Sequence, residues 1–254
     1  MSLVRVAHIH ATIARRQRSL WISVVPLTGF AVIVALASPG APRTGGGPDL
    51  AFAAQMIAIF TGIGYAAAFG DFFASPAQLG IPDVELSTPT RPLALRTARL
   101  LGTFAIVATP SLVALVLLAA WQTGHGHPAA ILTAVAVALA VLAPSGLIAM
   151  GLSALAGALL PRGLARVVAV LVWLWIIFSS PLVPVPNLNG TVLNLVGDYV
   201  AQGLFGADTL YDPAGPLGLA PSPRTAAVSL VWQACLILIL LTAGSRLADA
   251  KHRG

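Results

Sequence analysis

The chain has 254 residues, of which 57% are hydrophobic and only 9% are charged. Soluble domains carry about 25% charged residues, so a water-soluble protein is excluded and we predict an integral membrane protein. The net charge of +6 comes from basic residues spread over short segments between apolar stretches. This spread excludes a nucleic-acid-binding surface and favours contacts with lipid headgroups.

The first element predicted is an amphipathic helix within residues 1–19. Its apolar side chains recur at helical spacing: Leu3, Val6, Ile9 and Ile13. Such a helix lies in the plane of the membrane interface, and we expect His8 and His10 only to decorate it. The interfacial anchor is predicted at the end of this helix and the start of the next: Arg15, Arg16, Arg18 and Trp21.

Six apolar stretches follow, so we predict an all-α protein with six transmembrane helices in one domain over residues 1–254. The predicted spans are 20–37, 50–73, 100–121, 131–160, 164–182 and 226–243. The fourth is long and contains Pro144, and we interpret it as one tilted or kinked helix. Dividing it in two would move Arg162 and Arg166 to the opposite side of the membrane.

The distribution of basic residues predicts the orientation. With both termini in the cytoplasm, all of the 14 Lys and Arg residues except Arg43 and Arg224 lie on the cytoplasmic side. This positive-inside pattern, together with a composition rich in Ala, Gly, Arg and Pro, favours the cytoplasmic (inner) membrane of a bacterium. A signal peptide ending at Ala35-Leu36-Ala37 is the alternative for the first stretch, but its removal would leave five spans and put one end on the wrong side for the charges.

Two loops are long enough to carry function. Residues 74–99 form the predicted cytoplasmic loop, and residues 183–225 form an external segment. Within the external segment Asn194, Asp198 and Gln202 recur every four residues, which predicts a short helix with one polar face directed to water or to a partner.

Several kinds of chemistry are excluded by missing residues. A P-loop requires a lysine after its glycines, and the only lysine is Lys251 near the C-terminus. A zinc protease helix requires Glu beside paired His, and the only glutamate is Glu85. His125 and His127 are too few ligands for a closed metal site. We therefore predict neither catalytic residues nor a metal or cofactor in this chain.

Two alternatives remain from residues inside the apolar stretches. Ser145 could be the nucleophile of an intramembrane enzyme, although no predicted span supplies a base, and close helix packing is the simpler interpretation. Asp71 could serve an ion-coupled secondary transporter, although its position at the end of the second span favours a capping or interfacial role.

The loop after the second span contains ELSTPTRPLALRTARLLG, residues 85–102. With the amphipathic N-terminal helix, the six stretches and the apolar external segment, the chain resembles the membrane subunits of ABC-2-type exporters. The resemblance implies that the N-terminal helix is the "elbow" of that family and that the external helix helps to close the outer side of a translocation path. It also implies a coupling loop that docks on a nucleotide-binding subunit, with these residues: Glu85, Leu86, Pro89, Arg91 and Arg96.

From the resemblance we expect a permease that pairs with a second copy or a homologue and with two ATPase subunits, which bind ATP and Mg. The nearly charge-free spans favour a hydrophobic or amphipathic cargo, such as a lipid, peptide or drug-like molecule. A permease-like subunit for immunity or signalling, without transport of its own, is the main alternative.

Overall fold

The computed structural model of the chain describes residues 3–72, 92–178, 188–213 and 215–253, and in these ranges the protein is helical and contains no strand. The helices are α1 Leu3–Arg16, α2 Arg18–Ala37, α3 Gly47–Ala68, α4 Pro92–Val107, α5 Thr109–Gly124, α6 Ala130–Leu159, α7 Arg162–Ile177, α8 Asp198–Phe205 and α9 Pro223–Arg253. The prediction of an all-α protein is confirmed.

Four of these helices, namely α2, α3, α6 and α9, are long and apolar enough to cross a membrane. The pair α4 and α5 gives a fifth crossing if it is counted as one broken span. The stretch predicted as 164–182 is α7, which has 16 residues and ends at Ile177, just before a range outside the described residues. Six spans and their orientation therefore stay predictions.

The third predicted span, 100–121, is not one straight helix. α4 and α5 meet at Ala108 with a bend of 48°. Pro110 lies in the first turn of α5; proline has no backbone N–H, and its ring clashes with the carbonyl of the residue four positions earlier. The predicted span 100–121 therefore contains a break at Ala108, and whether the pair crosses a membrane as one span stays a prediction.

The long fourth stretch forms the single helix α6, as predicted. A π-helical turn at Ala138–Leu142 interrupts it directly before Pro144. Pro144 has no backbone N–H and cannot donate to the carbonyl of Ala140. The wider π turn, with its i to i+5 hydrogen bonds, lies where this α-helical hydrogen bond is missing. The helix continues on both sides without a loop.

α3 is the central helix of the bundle and packs against α2, α6, α7 and α8. It begins three residues before the predicted second span and ends at Ala68, five residues before the predicted end. Two apolar clusters surround it, one around Trp173 and the other around Leu50. α2 and α9 instead expose large apolar side chains such as Ile33 and Val231, as helices that face lipid do.

The N-terminal helix α1 is present and packs along α4. The contact is close because Gly102 lies against the backbone of Ala7, and a Cβ atom at this position would overlap the Ala7 carbonyl. Val6 and Ala14 are buried toward α4, whereas Ile9 and Ile13 are exposed. A helix is thus present where it was predicted, with apolar side chains on its exposed side, and its position in a membrane interface stays a prediction.

Candidate functional site

Most of the expected coupling loop falls outside the described residues. These are Glu85, Leu86, Pro89 and Arg91. Arg96, in the second turn of α4, is described. Its guanidinium donates to the backbone carbonyl of Ser245 at 2.9 Å and also to the Ser245 hydroxyl.

The bond to Ser245 connects α4 to the last helix. α4 also packs along α1, so three helices meet where α4 begins. The end of the 74–99 loop is therefore held by the first helix of the chain and by the last.

The predicted interfacial anchor lies at the junction of α1 and α2. Arg15, Arg16 and Arg18 are all exposed. Trp21 donates its indole N–H to the carbonyl of Arg15 at 3.0 Å, which ties the start of α2 to the end of α1. The anchoring role in a membrane stays a prediction.

His10 is not only an interfacial surface residue of α1. It lines a small cavity of about 120 Å³ together with Asp71 and Arg99, between α1, α4 and the end of α3. Burial, reinforced by the nearby Arg99 charge, lowers the pKa of His10 from 6.5 to about 4. The imidazole is therefore neutral near pH 7.

The external segment differs from its prediction in one important respect. α8 begins only at Asp198, so Asn194 lies in the turn before it and does not share a helical face with Gln202. Asn194 and Asp198 have no exposed surface, whereas Gln202 is partly exposed. The polar groups that were expected to face water or a partner are directed into the bundle.

Asn194 is the central residue of this buried region. Its Oδ1 accepts the N–H of Val196 at 2.8 Å and that of Asp198 at 3.3 Å, and its Nδ2 donates to Asn189 Oδ1 at 2.8 Å. Gln233 of α9 donates to the Asn194 carbonyl at 3.1 Å. Asn194 thus shapes the turn before α8, and Gln233 holds that turn against α9.

Asp198 joins the same segment to α3. Its Oδ1 accepts the amide N–H of Gln55 at 3.1 Å and the backbone N–H of Leu210 at 3.1 Å. Gln55 lies eight residues into α3, about 12 Å along the helix from Gly47 at 1.5 Å per residue. The segment therefore contacts α3 about two turns beyond its N-terminal end.

The Asp198 carboxyl has an unusual environment. Burial raises its pKa, against weaker opposing contributions from the hydrogen bonds of Leu210, Gln202 and Gln55. The N-terminus of α8 favours a negative charge by only about 0.3–1 kcal/mol, whereas desolvating an ion costs several kcal/mol. Within the described ranges Asp198 forms no salt bridge, so desolvation dominates.

Unpartnered buried oxygens are concentrated here. Of the buried side-chain atoms without a hydrogen-bond partner in the described part of the chain, four surround the external segment or the helices that hold it: Gln55 Oε1, Asp198 Oδ2, Ser229 Oγ and Gln233 Oε1. Three of these four atoms only accept hydrogen bonds, so the region has too few donors.

The two residues behind the alternative functions have structural partners. Ser145 Oγ contacts the carbonyls of Val141 at 2.9 Å and Leu195 at 3.1 Å. Asp71 Oδ1 lies 3.1 Å from Arg162 Nε, and Asp71 Oδ2 lies 3.4 Å from Arg166 Nη2. In the described ranges no three His, Cys, Asp or Glu side chains come together as a metal site.

Sequence analysis missed the pairing of Gln55 with Asp198, because the two residues lie 143 positions apart. A polar residue in the middle of an apolar stretch was the available signal, and Gln55 is such a residue. Comparison of the chain with protein-family models, with curated proteins and with solved structures gives no match.

Proposed function

We propose that this protein is the membrane-spanning subunit of an ATP-driven exporter of the ABC-2 type. It would pair with a second permease subunit and receive energy from two nucleotide-binding subunits. The cargo would be a hydrophobic or amphipathic molecule that leaves the cytoplasm.

The observation that carries this proposal is the junction of α1, α4 and α9. A partner that moves the 74–99 loop would pull on the first turns of α4, and α4 is packed on α1 and bonded to Ser245 of α9. The loop is therefore connected to both ends of the chain, as a coupling element must be if it is to change the arrangement of the spans.

Composition adds a second line of support. The chain has one lysine, near its C-terminus, so the energy for transport has to come from another subunit. The helices that would span the membrane carry large exposed apolar side chains and few charges, which suits a cargo that is itself apolar or amphipathic.

The two alternatives based on Asp71 and Ser145 receive less support. Ion coupling through Asp71 is disfavoured because its carboxylate is paired with two arginines and remains partly exposed. A Ser145 enzyme is disfavoured because that hydroxyl is buried between two backbone carbonyls. A permease-like subunit for immunity or signalling would share the ATPase partner but would move no cargo.

The test is to purify the C-terminally tagged protein from its native membrane in mild detergent and to identify the proteins that accompany it. We expect a stoichiometric soluble subunit with a complete P-loop. Replacing both Glu85 and Arg91 by Ala should remove that subunit while the permease remains folded by size-exclusion chromatography.

The matched control removes the same two charges from the external segment, by Asp208→Ala with Arg224→Ala, and should retain the ATPase. Recovery of the permease without any P-loop protein, even after crosslinking, would contradict the proposal. An ATPase that binds but supports no movement of any hydrophobic substrate in proteoliposomes would favour the immunity or signalling alternative.

A further inference from the structure

We propose that Asp198 binds a proton in the folded protein and forms a two-way acid–amide pair with Gln55. This pair is a proton-binding site. It docks residues 188–213, which are the described part of the external segment before α9, onto α3. The proposal concerns the external side of the bundle and does not depend on the identity of any ATPase partner.

The hydrogen-bond inventory of the two side chains carries the proposal. Gln55 Nε2 donates to Asp198 Oδ1 at 3.1 Å. The other oxygen of each group, Gln55 Oε1 and Asp198 Oδ2, is buried and has no partner in the described part of the chain. An amide oxygen and a carboxylate oxygen both accept, so the second pair of atoms cannot bond while Asp198 is ionised.

One proton gives both Gln55 Oε1 and Asp198 Oδ2 a hydrogen bond. Placed on Asp198 Oδ2, it is donated to Gln55 Oε1, and the amide and the acid then exchange two hydrogen bonds. The existing bond already holds the two planar groups together.

The surrounding charges do not offer another way to neutralise the carboxylate. Among the elements packed on α8, α3 supplies Gln55 and, in its first turn, Asp49, while the π turn of α6 has no titratable side chain. α9 supplies the uncharged Gln233 and Ser229, and its Arg224 is exposed and does not pair with Asp198. The titratable neighbours within the segment are Tyr199 and Tyr211, whose own pKa values are raised by burial and by Asp198.

A metal cation is the competing ligand, because it too would satisfy unpartnered oxygens. Hard cations require several oxygens around them. Here Gln55 and Asp198 are in direct contact, and an ion between them would have to separate the pair. The geometry therefore favours a proton, which needs no additional space.

The consequence is a dependence of the external segment on pH. The raised pKa means that protonation stabilises the docked state, and this stabilisation is present in acid and is lost as the pH rises through the folded-state pKa. The segment should therefore loosen when the pH rises above the raised pKa of Asp198.

The test uses the full-length protein in lipid nanodiscs. Infrared difference spectroscopy should detect the C=O stretch of a protonated carboxylic acid at neutral pH. Asp198→Asn should abolish this band, and Asp208→Asn, which changes an exposed aspartate of the same segment, should leave it unchanged.

Hydrogen–deuterium exchange of peptides from 188–213 gives the second readout, with wild type and Asp198→Asn compared at each pH. Wild type should lose protection at least tenfold as the pH rises beyond the transition, whereas Asp198→Asn, which is permanently neutral, should lose none. Gln55→Leu should lower the protection of 188–213 at neutral pH relative to wild type, because the protonated acid has lost its acceptor.

An ionised Asp198 at neutral pH, shown by absence of the acid band in a folded protein, would overturn the proposal. Protection that depends on added Na⁺ or K⁺ rather than on pH would also overturn it and would assign the site to a metal cation. If Asp198→Asn fails to fold, the band and its loss in wild type on alkaline titration decide the question without the variant.

Discussion

At the residue scale, two buried titratable groups differ from what their positions in the chain suggest. His10 belongs to an interfacial helix and Asp198 to an external segment, yet each has its pKa shifted primarily by burial. His10 is buried against α4 near Arg99, and Asp198 is buried against α3, where the Gln55 amide opposes the shift. In both cases burial disfavours the charged form of the side chain.

The lowered pKa of His10 gives a testable pH dependence. Because the folded-state pKa of about 4 lies below the ordinary 6.5, stability from the neutral imidazole is fully present above pH 6.5 and is lost as the pH falls toward 4. We expect the protection factors of α1 amides, which correct for the slower intrinsic exchange in acid, to fall over this window in wild type. His10→Gln, which stays neutral, should show no such fall, and an identical fall in both proteins would contradict this explanation.

Sequence alone reveals little at this scale. The polar residues at 194, 198 and 202 were recognised, but their spacing predicted a single water-facing helical face. The chain instead turns at Gly197, which has a φ of 78°, and α8 starts only after it. Asn194 uses its side chain to bond two backbone N–H groups of that turn, so local hydrogen bonding overrides the four-residue period.

At the element scale, the contact between α1 and α4 depends on the absence of a side chain. Gly102 permits the backbone of Ala7 to approach α4 directly. The position of Gly102 in an apolar helix does not predict its contact with Ala7, because the two residues are far apart in the sequence. Apolar periodicity located the two helices, and only packing shows which faces meet.

Gly102→Ala should therefore separate α1 from α4. A Cβ atom at this position meets backbone rather than a movable side chain, so we expect a loss of about 1–3 kcal/mol in stability and faster amide exchange in α1. The matched control is Gly29→Ala in α2, where a Cβ meets nothing within 4 Å. That change should be neutral or stabilising by up to about 1 kcal/mol, and equal effects of the two changes on α1 would refute the packing argument.

Helix boundaries were predicted best where the chain is uniformly apolar. α2 and α6 nearly coincide with the predicted stretches 20–37 and 131–160. Errors occur at prolines and at helix ends, where Pro110 bends the third stretch and α3 stops at Ala68. Hydropathy reports which residues avoid water, but it carries no information on where the backbone hydrogen-bond ladder is interrupted.

At the scale of the whole molecule, the charge distribution predicts the orientation. We expect the loop between α5 and α6 to be external and the end of α9 to be cytoplasmic. In a Cys235→Ser background, a membrane-impermeant thiol reagent should label His125→Cys in intact cells and Ala250→Cys only after permeabilisation. Both positions are exposed, so their reactivity reports location. The reverse labelling pattern would show that the topology is inverted.

The all-helical character of the protein agrees with its composition, because a helix satisfies its own backbone hydrogen bonds and so suits an apolar chain with few charges. The polar centre of the bundle does not follow from composition. Gln55, Asp198 and Gln233 lie in three separate segments, and their convergence depends on how the external segment folds back between α3 and α9. Such a convergence is a property of tertiary structure.

The position of α9 has a consequence for the order in which the molecule is built. Toward the C-terminal end of α9, the Ser245 carbonyl accepts a hydrogen bond from Arg96, which lies 149 positions earlier in the chain. In the N-terminal half of α9, Trp232 and Gln233 donate to the carbonyls of Leu193 and Asn194. These bonds cannot form until the last helix has been synthesised. During biogenesis both contacts therefore stay unmade until α9 has been synthesised, and a nascent protein truncated before α9 would lack these partners for Arg96 and Asn194.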